Sequence, residues 1–131
     1  MHNLKSLLII AHGSRREASN DEIRTLTDKL RNHPANDADH TACAFLELAE
    51  PDIPGGIQHC IDQGATSVVV YPYFLSQGRH VAEDIPTEVK EKQLEHPNVD
   101  IVIADYFGSS ERVIELLATE SAASMSRKPV S

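Results

Sequence analysis

The sequence predicts an α/β protein: a four-stranded parallel sheet flanked by helices on both faces. Three observations lead there. Short apolar runs recur four times, at residues 4–11, 41–46, 67–74 and 99–104. Helix-compatible stretches separate them, and Pro or Gly punctuates most of the junctions. A βαβαβαβα order of this kind implies a parallel sheet with right-handed crossovers.

The elements follow in turn. Residues 4–11, apolar almost throughout, read as a strand buried on both faces. A helix is expected from about Ala18 to His33, with Ile23, Leu26 and Leu30 on one apolar face and Ser19 or Asn20 able to cap its start. Pro34 ends it, and the polar segment 36–39 is a loop. Residues 41–46 form the second strand. Pro54 suits the first turn of a helix that runs to Gln63, with Gly64 as its C-terminal cap. The third strand, 67–74, is the most β-branched. The loop SQGRH then leads into a helix ending near His96, with Pro86 in its first turn or at its start. Residues 99–104 make the fourth strand and 110–120 the last helix. Residues 1–120 are expected to form a single domain, and 121–131 a flexible tail.

Composition narrows the function. The chain has 131 residues, 40% hydrophobic and 24% charged, as globular proteins do. A formal charge of −8 offers no basic stripe for nucleic acid. No apolar stretch approaches the roughly 20 residues of a membrane span. The N-terminal segment reads as a strand rather than a signal peptide, so a cytoplasmic location is expected. Cys43 and Cys60 lack CxxC spacing and read as small buried hydrophobes.

The chemistry gathers at strand ends. His12 follows the first strand in AHGS, Glu47 follows the second, and His80 closes the loop after the third. In open parallel sheets ligands bind beyond the carboxyl ends of the strands. Two imidazoles and a carboxylate there suit a divalent metal or proton transfer. Gly13 lets the backbone turn sharply after His12. Glu50 competes with Glu47 for the carboxylate role. Asp84, four residues after His80, can orient that imidazole or cap a helix. His2, His33, His40, His59 and His96 stand in polar or terminal contexts and are expected at the surface. No HExxH, P-loop, GxGxxG or GxSxG motif appears. AHGS is faintly similar to the R-H-G of histidine phosphatases but lacks the arginine directly before the histidine, which leaves a phosphohistidine mechanism little support.

The segments LLIIAHGSR, AFLELAEPDIPGGI and VVVYPYFLSQGRHVAEDIP, in this order, resemble the sirohydrochlorin chelatases of CbiX/SirB type among the class II chelatases. The resemblance covers about two-thirds of the chain. It implies a chelatase-like three-layer sandwich corresponding to one flavodoxin-like half, and insertion of a divalent metal into sirohydrochlorin. Cobalt is the first candidate, with iron and nickel as alternatives. It places the family's catalytic histidines on His12 and His80, and its metal ligands on His12, Glu47 and His80. Substrate carboxylates would meet Arg15, Arg16 and Arg79, with Ser14 and Phe74 also facing substrate. Tyr71 and Tyr73 can join Phe74 as an apolar floor or pack in the core. The short length implies a homodimer with its cleft near the subunit contact. Metal and tetrapyrrole are substrates, and no permanently bound cofactor is expected. The other reading of the same residues is a non-catalytic metal or tetrapyrrole carrier.

Overall fold

A computed structural model describes residues 3–130, the side chain of His80 excepted. His2, expected at the surface, lies outside the described residues. Four strands, β1 (Lys5–Ala11), β2 (His40–Phe45), β3 (Ser67–Pro72) and β4 (Asp100–Ile103), form one parallel sheet in the order β2-β1-β3-β4. The helices are α1 (Glu17–Arg31), α2 (Ile53–Asp62), α3 (Ile85–Glu95) and α4 (Glu111–Ser124). A π-helical turn, His80–Asp84, leads into α3, and a 3-10 turn, Phe107–Ser109, precedes α4. The expected four-stranded α/β architecture is therefore present.

Alternation along the strands divides the sheet into two unequal faces. Leu8 and Ile10 of β1 point to one side with Ala44, Val68 and Val70, all fully buried. There they meet Ile53, Ile57 and Cys60 of α2 and Ile85 and Val89 of α3. This is the main core. The opposite face carries Leu7, Ile9, Tyr71 and Tyr73, and α1 contributes Leu26 and Leu30 to it. The helix α1 packs mainly along β2. The half of this face over β3 and β4 is open, and Val102 there is 56% exposed.

Local chemistry explains the helix limits. Pro54 occupies the first turn of α2, and the Asp52 carboxylate accepts from the Gly55 N–H. Gly64 follows that helix at φ +100°, the left-handed conformation that ends helices. Two helix ends depart most from expectation. The start of α1 is Glu17, with Arg16 at the cap and no side-chain capping bond, so neither Ser19 nor Asn20 caps it. The end of α4 is Ser124, four residues beyond the expected Glu120, because Ala122 and Ala123 favour helix.

Among the histidines expected at the surface, His33 and His59 are exposed. His40 and His96 are half-buried. The His40 ring lies 5.5 Å from that of His59, and the His96 Nε2 is 3.0 Å from the Gln58 Oε1. Both cysteines are free thiols; Cys60 is buried and Cys43 half-buried.

At Gly56 the helix α2 lies close against the sheet. A Cβ there would stand 2.8 Å from the Ala44 Cβ and 3.2 Å from Leu8. Replacing a helical glycine by alanine gains up to about 1 kcal/mol in propensity. Overpacking a core costs about 1–3 kcal/mol, and Ala44 sits on a buried strand with little room to give. We expect Gly56→Ala to destabilise the protein by about 1–2 kcal/mol net, measured by urea unfolding. Unchanged or raised stability would mean that α2 can move off the sheet.

Candidate metal and proton site

The strand order reverses between β1 and β3, so the crevice expected of such a sheet opens at their carboxyl ends. Here β1 delivers His12. The pairing of β1 with β2 continues past the strands: the Leu46 N–H donates to the Ala11 carbonyl and the Glu47 N–H to the His12 carbonyl. Gly13 then turns at φ +92°, and a Cβ on it would lie 1.7 Å from the Glu47 carbonyl oxygen. Only glycine fits, which gives the expected sharp turn a second cause, the close approach of two backbones.

This backbone arrangement sets two side chains face to face. His12 Nε2 and Glu47 Oε1 are 3.6 Å apart, each side chain about half exposed. His12 Nδ1 lies 3.1 Å from the Gly13 carbonyl, which can only accept, so Nδ1 carries the hydrogen. In the neutral ring Nε2 then holds a lone pair towards a carboxylate. Two acceptors so placed favour a positive charge between them, either a proton or a metal ion. Ligands at about 2.1 Å from a tetrahedral ion would be about 3.4 Å apart. The observed separation is close to that edge.

The Glu47 loop contains strain. Leu48 takes φ 68°, and Phe45 N–H reaches across the loop to the Pro51 carbonyl. The Glu50 side chain is exposed, and its backbone carbonyl accepts from Arg24 at 3.4 Å. Of the two carboxylates considered from sequence, Glu47 is the one beside His12.

The loop after His12 is held by a residue whose role the sequence reading missed. Asn20 is 1% exposed. Its Oδ1 accepts from the Ser14 N–H at 2.9 Å, and its Nδ2 donates to the Ser14 carbonyl at 2.8 Å. Both backbone groups of Ser14 are thus clamped from inside α1, while the Ser14 hydroxyl accepts from the Arg16 N–H at 3.0 Å. The sequence signal was present, since a side-chain amide six residues after a turn can bond back to it, but it reads equally well as a helix cap.

On the other side of the crevice stands the exit of β3. Tyr73 N–H donates to the Ile10 carbonyl, which extends the β1–β3 ladder by one step. Tyr73 and Phe74 line a cavity of about 310 Å³ with His12, Gly13 and Ser14. Phe74 also packs on the main core. The side chain of His80, expected as the second nitrogen donor, lies outside the described residues; its backbone opens the π-helical turn that ends at Asp84. Among the described residues, no group of three or more His, Cys, Asp or Glu side chains is placed to hold a metal ion.

Asp84 borders a second cavity of about 310 Å³ together with Leu46, Glu47, Thr87 and Glu88. The Glu88 Oε2 is buried without a hydrogen-bond partner. Burial pushes the Glu88 carboxyl above the usual carboxylate range, and the negative charges of Asp52, Asp84 and Glu91 add to the effect. Arg15, Arg16 and Arg79 are all exposed, and Arg79 lies 3.9 Å from Glu83. All three belong to the loops at the carboxyl edge, two after β1 and one after β3.

Residues 6–124 match the CbiX family model. A sirohydrochlorin ferrochelatase of Priestia megaterium is 31% identical over 114 residues, which are 87% of this chain and 42% of that protein. A sirohydrochlorin cobaltochelatase of Sulfolobus acidocaldarius is 26% identical over 121 residues, 92% of either chain. Among solved structures, a putative cobalamin biosynthesis CbiX protein from Marinobacter aquaeolei VT8 gives a TM-score of 0.79 at 25% identity, covering 95% of this chain and 99% of that one. The chelatase SirB from Bacillus subtilis subspecies spizizenii, solved in complex with cobalt, gives 0.80 at 28% identity, covering 92% of this chain and 50% of that one. The chain spans less than half the length of the Priestia protein. On the extent of the family match and the shared fold, this chain belongs to the CbiX family.

Proposed function

We propose that this chain is a chelatase that inserts a divalent ion into sirohydrochlorin, on the way to cobalamin or sirohaem. Cobalt is the first candidate metal, with iron and nickel as the others. The observation that carries the reading is the facing pair of His12 and Glu47, 3.6 Å apart at the strand ends of a CbiX-family chain. Relatives named sirohydrochlorin ferrochelatase and cobaltochelatase support it. The working unit is a homodimer. No helix among the described residues is long and apolar enough to cross a membrane, and a cytoplasmic location is part of the proposal.

Both the metal and the tetrapyrrole are substrates. Insertion exchanges two pyrrole N–H protons for one divalent cation. The ion must first shed water. His12 Nε2 and a Glu47 oxygen replace water ligands, and His80 is assigned as the second imidazole. Three protein ligands leave positions open, the arrangement of catalytic rather than structural metal sites. Because the His12 and Glu47 side chains are about half exposed, their hold on the ion is weakened by solvent, which suits transfer over storage. Once the ion passes to the pyrrole nitrogens, Nε2 regains its lone pair and can accept a departing proton. Arg15, Arg16 and Arg79 are assigned to the carboxylates of the tetrapyrrole, with Ser14 and Phe74 along the ring.

Three outcomes are expected. His12→Ala and His80→Ala each lower cobalt insertion by about 100-fold or more, followed spectrophotometrically with sirohydrochlorin, while circular dichroism shows the fold intact. Unchanged rates in both variants would refute the assignment, and tight binding without product in the parent protein would favour a carrier. Glu47→Gln raises the metal concentration needed for half-maximal rate by about tenfold, and a parent-like metal dependence would transfer the role to Glu50. Asn20→Asp keeps the bond from the Ser14 N–H but repels the Ser14 carbonyl. It lowers kcat by about tenfold with a smaller change in the tetrapyrrole KM, and unchanged kcat would show that the clamp does not position His12.

A further inference from the structure

The edge of the sheet opposite the crevice carries a second pair of facing imidazoles. His40 opens β2, while Glu47 and His12 stand beyond the other end of that strand. Six strand residues at about 3.3 Å each place the two pairs roughly 20 Å apart. His40 pairs in register with Ser6, and Ala42 with Leu8, so His40 belongs to the face that α2 covers.

Helix packing brings His59 to it. Gly56 lets α2 lie close on Ala44. The helix of a right-handed crossover runs back along its sheet, so one turn beyond Gly56 it passes above the start of β2. His59 occupies that turn, three residues after Gly56 and on the same side of the helix. The two imidazole rings are 5.5 Å apart and inclined at 55°. His40 is half-buried and His59 exposed, so solvent reaches the pair through His59.

Two features set this pair apart from ordinary ring packing. The first is a nitrogen. His40 Nδ1 is buried and has no hydrogen-bond partner among the described residues. A buried polar atom left unpaired costs about 1–3 kcal/mol, so packing alone does not account for its placement. The second is spacing. An imidazole nitrogen sits about 2.1 Å from a tetrahedral ion, which puts the centres of two ligand rings about 5.3 Å apart. The observed rings are close to that distance.

The electrostatics agree. Burial lowers the pKa of His40, and His59 and Arg31 lower it further, so near neutral pH the ring is uncharged and keeps a lone pair. Arg31, the cation that acts on His40, is engaged elsewhere: its guanidinium donates to the Thr41 carbonyl at 2.8 Å and pairs with Asp28. His59 lies in the last turn of α2, where helix carbonyls favour positive charge.

We propose that His40 and His59 together bind a divalent transition-metal ion, at a second site remote from the crevice. Two imidazoles suit zinc, nickel, copper or cobalt over magnesium or calcium. The ion gives the buried Nδ1 the partner that the protein does not. No third His, Cys, Asp or Glu joins the two among the described residues, so water completes the shell and the ion is held reversibly. Its effect is mechanical: it ties the edge strand β2 to α2, the helix that closes the main core. An ion that binds the folded chain in preference to the unfolded one raises stability as the metal supply rises. The site stands independently of the chelatase reading, and its distance from His12 excludes direct hand-over.

Calorimetric titration with zinc chloride, without tetrapyrrole, tests this on the full chain. The His12→Ala/Glu47→Gln double variant removes the crevice pair and is expected still to take up one zinc ion per chain. Adding His59→Gln to it should weaken that binding by more than the about tenfold that loss of an outer partner costs. His59 is exposed, so this variant keeps its fold even if His40→Gln does not. In the parent chain, zinc should shift the imidazole nitrogen resonances of both His40 and His59, and should raise the unfolding temperature by an amount that His59→Gln abolishes. A double variant that takes up no zinc overturns the proposal. So does zinc binding indifferent to His59→Gln, or nitrogen shifts that leave His40 and His59 unmoved.

Discussion

The approach of two backbones at Gly13 is the constraint on which the site depends. The carbonyl of Glu47 occupies the space where any other residue at position 13 would carry its Cβ. Two hydrogen bonds, from Leu46 to Ala11 and from Glu47 to His12, carry the strand ladder past its last paired residues. The positions of His12 and Glu47 are therefore set by main-chain geometry before either side chain makes a contact. Asn20 secures the next residue in the same way, by gripping the backbone of Ser14. An exposed pair would otherwise lose most of its attraction to side-chain entropy and screening. Prior placement by the main chain reduces that loss.

The chemistry of the pair follows from where its hydrogens can be. The Gly13 carbonyl takes the Nδ1 hydrogen of His12, so the Nε2 lone pair faces Glu47. At 3.6 Å the gap is longer than a hydrogen bond and close to the spacing of two donors on one ion. Two acceptor atoms so spaced suit a cation directly, and a shared proton only after a small approach of the two side chains. Asp84 and Glu47, around the neighbouring cavity, add negative potential to that edge. Burial, with the Asp84 charge helping, holds the Glu88 carboxyl above its usual range. The exposed Arg15, Arg16 and Arg79 sit instead on the loops around that edge.

Much of this was legible in the sequence because it follows from periodicity and punctuation. Continuous apolar runs announced the strands, Pro54 the start of α2, and Gly64 its end. The position of His12 and Glu47 at one edge followed from the parallel order. What escaped the sequence depends on tertiary contacts. Gly13 could be read as a turn residue, but the opposing Glu47 carbonyl could not be foreseen. Asn20 looked like a cap because its bonding partner is a loop backbone whose path was unknown. Leu48 in a left-handed conformation contradicts local preference, and only the surrounding loop holds it there. Nor did the sequence tell that α4 would leave the sheet. Its apolar residues are as consistent with covering its own β4 as with any other surface.

That last point bears on how stability is distributed. The fully buried large side chains Leu8, Ile10, Val68 and Val70 of β1 and β3 point to the face closed by α2 and α3. The opposite face relies on α1, and α1 has only a half-buried apolar stripe of Ile23, Leu26 and Leu30. The sheet is thus anchored from one side. Local opening is cheapest where buried contacts are fewest, which here is the β3–β4 half of the open face and the loops above it. Those loops carry Tyr73 and lead into the turn at His80. Covering the open face would raise the cost of opening in the region that lines the crevice, without touching the main core. Ordering of the site and closure of the second face are therefore one energetic problem, and the residue common to both is Tyr73.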